Sequence, residues 1–137
     1  MKRQAATLLV LTLLAVPGFL TAQSRPVIKA QVPFDFIVNG KILPAGEWAI
    51  DAQGEGQTYL LLSSEGHKML ILPNATESLT APAESKLVFH RYGDRYFLST
   101  ISREGNNRGY ELQAGKAEKE LRAQKAAEDV TLVASVK

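Results

Sequence analysis

"LVFHRYGDRYFLSTI", residues 87–101, is the stretch whose reading decides the fold. It holds one of the chain's two histidines, four aromatic rings, and the charges of Arg91, Asp94 and Arg95. Taken as a loop, it would offer His90 and Asp94 as acid–base groups. Taken as two β-prone runs, 86–92 and 95–102, it is a hairpin turning at Gly93-Asp94. A glycine at the first central position suits a two-residue type II′ turn, whose twist matches that of the flanking strands. In that register Tyr92 faces Arg95, His90 faces Phe97, and Phe89 faces Leu98 on the opposite side. A three-residue loop, shifting the pairing by one, is the alternative. Both faces carry rings or aliphatics, so the hairpin is expected to be central and covered.

Working toward the C-terminus, "REGNNRG" reads as a polar loop and "YELQ" as a short strand. The period then changes. Residues 116–127 are expected to form one helix lying shallowly on the surface, with a thin apolar stripe of Ala117, Leu121 and Ala126. Glu118 and Arg122 form an i,i+4 pair of favourable order. Residues 130–136, "VTLVASV", read as a strand that closes a sheet.

Working toward the N-terminus, residues 58–63 and 68–72 form a second hairpin, turning at "EGHK". Residues 74–85 read as a loop. "VIKAQVPFDFIV", residues 27–38, is a strand interrupted by Pro33, which implies an edge position or a bulge. Phe34, Phe36 and Val38 share one side; Asp35 and Ile37 take the other. Asn39-Gly40 is a strong turn signal. Leu43-Pro44-Ala45-Gly46 is another, because Pro44 fixes φ and Gly46 accepts positive φ. Seven or eight strands, one helix near the C-terminus and no βαβ rhythm predict a mainly β domain, an antiparallel sandwich or a small barrel.

The first 24 residues stand apart. Lys2 and Arg3 precede an apolar run from Ala5 to Val16, broken by Pro17-Gly18. This order predicts a secretory signal peptide, cleaved after Ala22 or after Ser24; a retained N-terminal anchor is the alternative. Residues 25–137 then make a single β-rich domain, periplasmic or extracellular, with no transmembrane segment in the mature chain. Lys2 and Arg3 are the only charges before Arg25, so the remainder carries as many basic as acidic side chains. No excess field is left to attract nucleic acid. The chain has no cysteine, which excludes thiolate chemistry and disulfide support.

Candidate chemistry is sparse. His90-Arg91 with Asp94 has a superficial likeness to a kinase catalytic loop, but lacks the aspartate directly after the arginine and any glycine-rich phosphate loop. His90 paired with Asp35 or Asp94 is the weak acid–base candidate. Neither His67 nor His90 has metal-ligand spacing, so no metal and no cofactor is expected. Trp48, Tyr59, Tyr92, Tyr96 and Tyr110 are candidate ligand-lining residues if a barrel forms, and otherwise core and rim.

Two blocks, Val32–Trp48 ("VPFDFIVNGKILPAGEW") and Lys86–Ile101 followed by "AEKEL" at 117–121, resemble a family of small exported, uncharacterised bacterial proteins abundant in Acidobacteria. Pro33-Phe34-Asp35-Phe36 and Leu43-Pro44-Ala45-Gly46 match its first block. Phe89-His90-Arg91-Tyr92-Gly93 and Tyr96-Phe97-Leu98 match its second. Trp48 stands where the family often has tyrosine, and Ser102-Arg103 where it often has tryptophan. The resemblance implies export and one β-rich domain; it supplies no reaction.

Three functional readings follow. The foremost is a non-enzymatic envelope or secreted β domain that binds another envelope protein or a surface polymer. The second is a carrier of a small apolar ligand inside a barrel, suggested by the aromatics and by Leu60-Leu61-Leu62. The third is an envelope-polymer hydrolase using His90 with Asp35 or Asp94.

Overall fold

Ser85–Tyr92 and Arg95–Ser102 form the expected hairpin, with Tyr92 opposite Arg95 and His90 opposite Phe97. Gly93 has φ +66° while Asp94 keeps a negative φ, as a type II′ turn requires. The structure is a computed structural model, and it describes residues 27–136. The proposed signal peptide lies outside these residues.

In chain order the elements are β1 (Ile28–Val32), β2 (Phe36–Val38), β3 (Lys41–Leu43), β4 (Gly46–Gln53), β5 (Tyr59–Ser64), β6 (His67–Ile71), β7 (Asn74–Glu77), β8 (Ser85–Tyr92), β9 (Arg95–Ser102), β10 (Arg108–Glu111), α1 (Lys116–Gln124) and β11 (Glu128–Val136). They make one strongly curled, open sheet in the order β3-β2-β9-β8-β11-β1-β4-β5-β6, with β10 on β9 and β7 on β10. The domain is therefore mainly β, a half-barrel with a single helix near the C-terminus. β11 holds the two halves together: residues 128–134 pair with β8 and residues 135–136 with β1. The sheet does not close by hydrogen bonding. Instead Leu72-Pro73 carries the chain from edge strand β6 to β7 on the far side.

Eleven strands occur among the described residues, not seven or eight. Pro33 accounts for one of the extra strands. It neither bulges a strand nor marks an edge, because β1 is central, between β11 and β4. Lacking an N–H, Pro33 ends β1, and the chain crosses to begin β2 on the opposite half. Asn39 and Gly40, with φ +49° and +75°, then turn β2 tightly into β3. Both values are positive, which is type I′ geometry. β7 falls in the predicted loop; its polar, exposed residues gave no alternating signal, and it exists by pairing with β10.

The concave face carries the core. Trp48, Phe36, Phe89, Leu60, Leu62, Leu87, Ile101, Val32 and Val38 are its most deeply buried apolar side chains. Phe36 meets Trp48 and Phe89 edge-on, each at 5.5 Å between ring centroids. Such pairs contribute roughly 0.5–1.5 kcal/mol beyond the area they bury. Alternation places Leu60 and Leu62 inside and Leu61 on the outer face, so the leucine run is ordinary strand packing.

One irregularity matters for the outer face. Between Val88 and Phe89 the pairing shifts, because Phe89 faces Leu98 while Val88 faces Thr100. Ser99 is thus the extra residue of a β-bulge, which redirects side chains and bends the strand. As a result Phe97, Leu98 and Ser99 are buried in succession. Phe97 faces outward with Tyr92, ring against ring at 5.7 Å.

Candidate functional site

Helix α1 sits over that outer face, and its anchor is a carboxylate. Glu118 is 4% exposed, the one buried residue of the helix. Ala117 and Ala126, expected to form the apolar stripe, are exposed, and the helix ends at Gln124 rather than residue 127. The expected stripe is replaced by a polar attachment. Glu118 Oε2 lies 3.0 Å from His90 Nδ1 and accepts from Tyr92 Oη at 3.2 Å and from Arg122 Nη2 at 2.8 Å. Arg122 Nε also donates to Tyr92 Oη at 3.3 Å. These bonds, first to Tyr92 and then to Glu118, hold the Arg122 guanidinium still more firmly in its charged form. A carboxylate oxygen accepts, so Nδ1 is the protonated nitrogen in this contact.

This arrangement settles where His90 points. Its partner acid is Glu118, not Asp35 or Asp94. The other ring nitrogen, Nε2, lies 3.7 Å from Asp129 Oδ1 on β11. That separation is too long for a hydrogen bond but close enough for electrostatic attraction when the ring is charged. Nε2 therefore faces Asp129 on β11.

Asp35 has a different task. Its Oδ1 accepts the backbone N–H of Ala45 at 2.9 Å. Trp48 Nε1 donates to the Pro44 carbonyl at 2.9 Å, and Gly46 has φ +147°. The "PFDF", "LPAG" and Trp48 pieces thus form one unit. Phe36 packs on Trp48 from inside while Asp35, on the alternate face, fixes the turn leading into Trp48. Asp94 is an exposed turn residue.

The five aromatic candidates do not line one cavity. Trp48 and Tyr110 are in the core, the latter donating to Gln57 Oε1 at 3.3 Å. Tyr96 stacks on Phe34 at 3.7 Å with the Arg91 guanidinium over its ring. Tyr92 is on the opposite face beneath α1, and Tyr59 is half-buried beside Gly54. The recesses bordering the core, one beside Leu98 and one beside Tyr110, measure about 40 and about 10 Å³. Small-molecule sites occupy roughly 300–1,000 Å³.

Among the described residues no three histidine, cysteine or carboxylate side chains are grouped to hold a metal ion, and no helix is long and apolar enough to cross a membrane. No family model, curated protein or solved structure matches the chain. The Glu118–Arg122 pair expected from the i,i+4 spacing is present, but the sequence does not show that Glu118 also meets His90 and Tyr92. The missed signal was the spacing of His90 and Tyr92, which puts two polar rings on one strand face in need of a partner.

Proposed function

We propose that this chain is a non-enzymatic exported β domain with a binding or structural role in the cell envelope or outside it. The observation behind the reading is that His90 and Asp35 are engaged in holding the fold, while Asp94 is an exposed turn residue. His90 is tied to Glu118 and flanked by Asp129, and Asp35 fixes the Ala45 turn. The leader, Lys2 and Arg3 followed by an apolar run, and the family resemblance support export. An apolar-ligand carrier is disfavoured by the filled interior. The hydrolase reading loses its pairing of His90 with Asp35 or Asp94.

Native mass spectrometry of the mature protein, purified gently from its own envelope fraction, tests the proposal. A co-purifying protein or envelope polymer fragment is the expected result. A bare monomer that also fails to sediment with isolated envelopes would overturn it. A co-purifying small apolar mass would restore the carrier.

A further inference from the structure

The bulge at Ser99 and the carboxylate anchor of α1 together leave an open groove on the outer face. It measures about 390 Å³ and is lined by His90, Ser99, Glu111, Gln113, Glu118, Lys119 and Arg122, with Leu112 and Ala114 beside them. Glu118 reaches it with a side chain only 6% exposed. Its Oε2 is occupied by three donors, whereas Oε1 takes no bond from the protein and is not sealed from solvent. One carboxylate oxygen, fixed in position by its sister, is thus left for a ligand on a side chain that lines the groove.

We propose that this groove binds a neutral, hydroxyl-rich ligand, an oligosaccharide unit of a surface polymer. The proposal rests on the reading above that the domain binds an envelope component, and it names the chemistry and the place. Glu111 and Glu118 are balanced by Lys119 and Arg122, so these four charged side chains leave no net charge to select an ion. A polyanion would meet the two carboxylates, and a polycation the two bases. What the lining does offer is donors and acceptors side by side: the Ser99 hydroxyl, the Gln113 amide, the free Glu118 oxygen and the remaining Arg122 N–H groups. A sugar hydroxyl both donates and accepts, and so matches such a mixture. Leu112 and Ala114 supply a small apolar strip for the C–H face of a ring. An aliphatic ligand would displace water from the free Glu118 oxygen and leave it unpaired, which costs affinity.

The test is retention of the full mature chain on an array of bacterial surface oligosaccharides. The best-retained one is then titrated while backbone amide resonances are followed. Expected are shifts at Ser99, Gln113 and Glu118, and binding weaker by about tenfold in Gln113→Ala, as loss of one bond to a ligand implies. Gln113 is exposed and outside the bonds that hold α1, so this variant keeps the fold. Lys119→Ala, equally exposed, is the second variant and is expected to weaken binding in the same direction. Retention of no saccharide, shifts confined to other surfaces, or binding unchanged in both variants would each overturn the groove. Sedimentation with isolated envelopes in parallel separates the two levels. If the protein sediments while saccharide binding fails, the envelope role stands and only the groove is lost.

Discussion

Glu118 Oε2 and His90 Nδ1 stand 3.0 Å apart across 28 residues of chain, and this contact joins α1 to the hairpin. The helix has no substantial apolar face to bury; Leu121 is only half-buried. Its attachment therefore depends on a polar group that is costly to leave without partners. Glu118→Ala strands the Tyr92 hydroxyl and the His90 ring nitrogen, and is expected to destabilise the domain by about 1–3 kcal/mol. Glu118→Gln keeps an acceptor and should lose less. Urea midpoints of the two variants check this order. Equal midpoints for wild type and Glu118→Ala would show that α1 is held by something else.

The Asp35 bond to Ala45 is at the surface, so its loss exposes no buried group. Asp35→Ala should cost about 0.5–1.5 kcal/mol, and Asp35→Asn less, because the amide oxygen can still accept. Denaturant unfolding measures both. The same variants separate a structural Asp35 from a catalytic one. Any envelope-directed activity should survive Asp35→Asn in proportion to the folded protein; a steep loss with unchanged stability would return Asp35 to a chemical role.

Trp48 is the chain's one tryptophan and is 1% exposed. Its native fluorescence is expected to be blue-shifted and poorly quenched by iodide, with a red shift on unfolding. Trp48→Ala should cost about 3–5 kcal/mol through the cavity it leaves beside Phe36. Trp48→Phe should be milder, since it keeps an aromatic edge there but loses the bond to the Pro44 carbonyl.

Much of this was legible from residue order. Gly93-Asp94 pointed to the two-residue turn and register that the hairpin adopts, with a three-residue loop as the alternative, and Asn39-Gly40 marked the turn between β2 and β3. The alternation of Phe34, Phe36 and Val38 correctly assigned the core side. What was not legible depended on contacts distant in sequence. β7 is a strand only because β10 lies beside it. Pro33 separates two strands on opposite halves of the sheet, and local pattern cannot tell that from a bulge. Glu118 reads as a solvated helix residue until the Ser99 bulge and the outward Tyr92 and Phe97 rings create a face for α1 to cover. The candidate site was hidden for the same reason: His90 was visible, and its partner was not.

Two glycines give a final comparison, because both have positive φ and their surroundings differ. Gly93 has φ +66°, and a Cβ there would meet nothing closer than Lys125 Nζ at 3.9 Å. Gly93→Val therefore costs backbone strain alone, about 1–3 kcal/mol. Gly54 has φ +84°, and a Cβ would also lie 2.6 Å from Tyr59 Cε1. Even Gly54→Ala must displace the Tyr59 ring at the start of β5. It should match or exceed Gly93→Ala in destabilisation, although the turn following β4 is the less regular of the two. Thermal midpoints of the two alanine variants decide the order. A clearly smaller loss for Gly54→Ala would mean that Tyr59 moves aside freely and that its ring contributes little to the packing there. If Gly93→Val left the denaturant midpoint unchanged, the type II′ turn at the head of the central hairpin would be refuted.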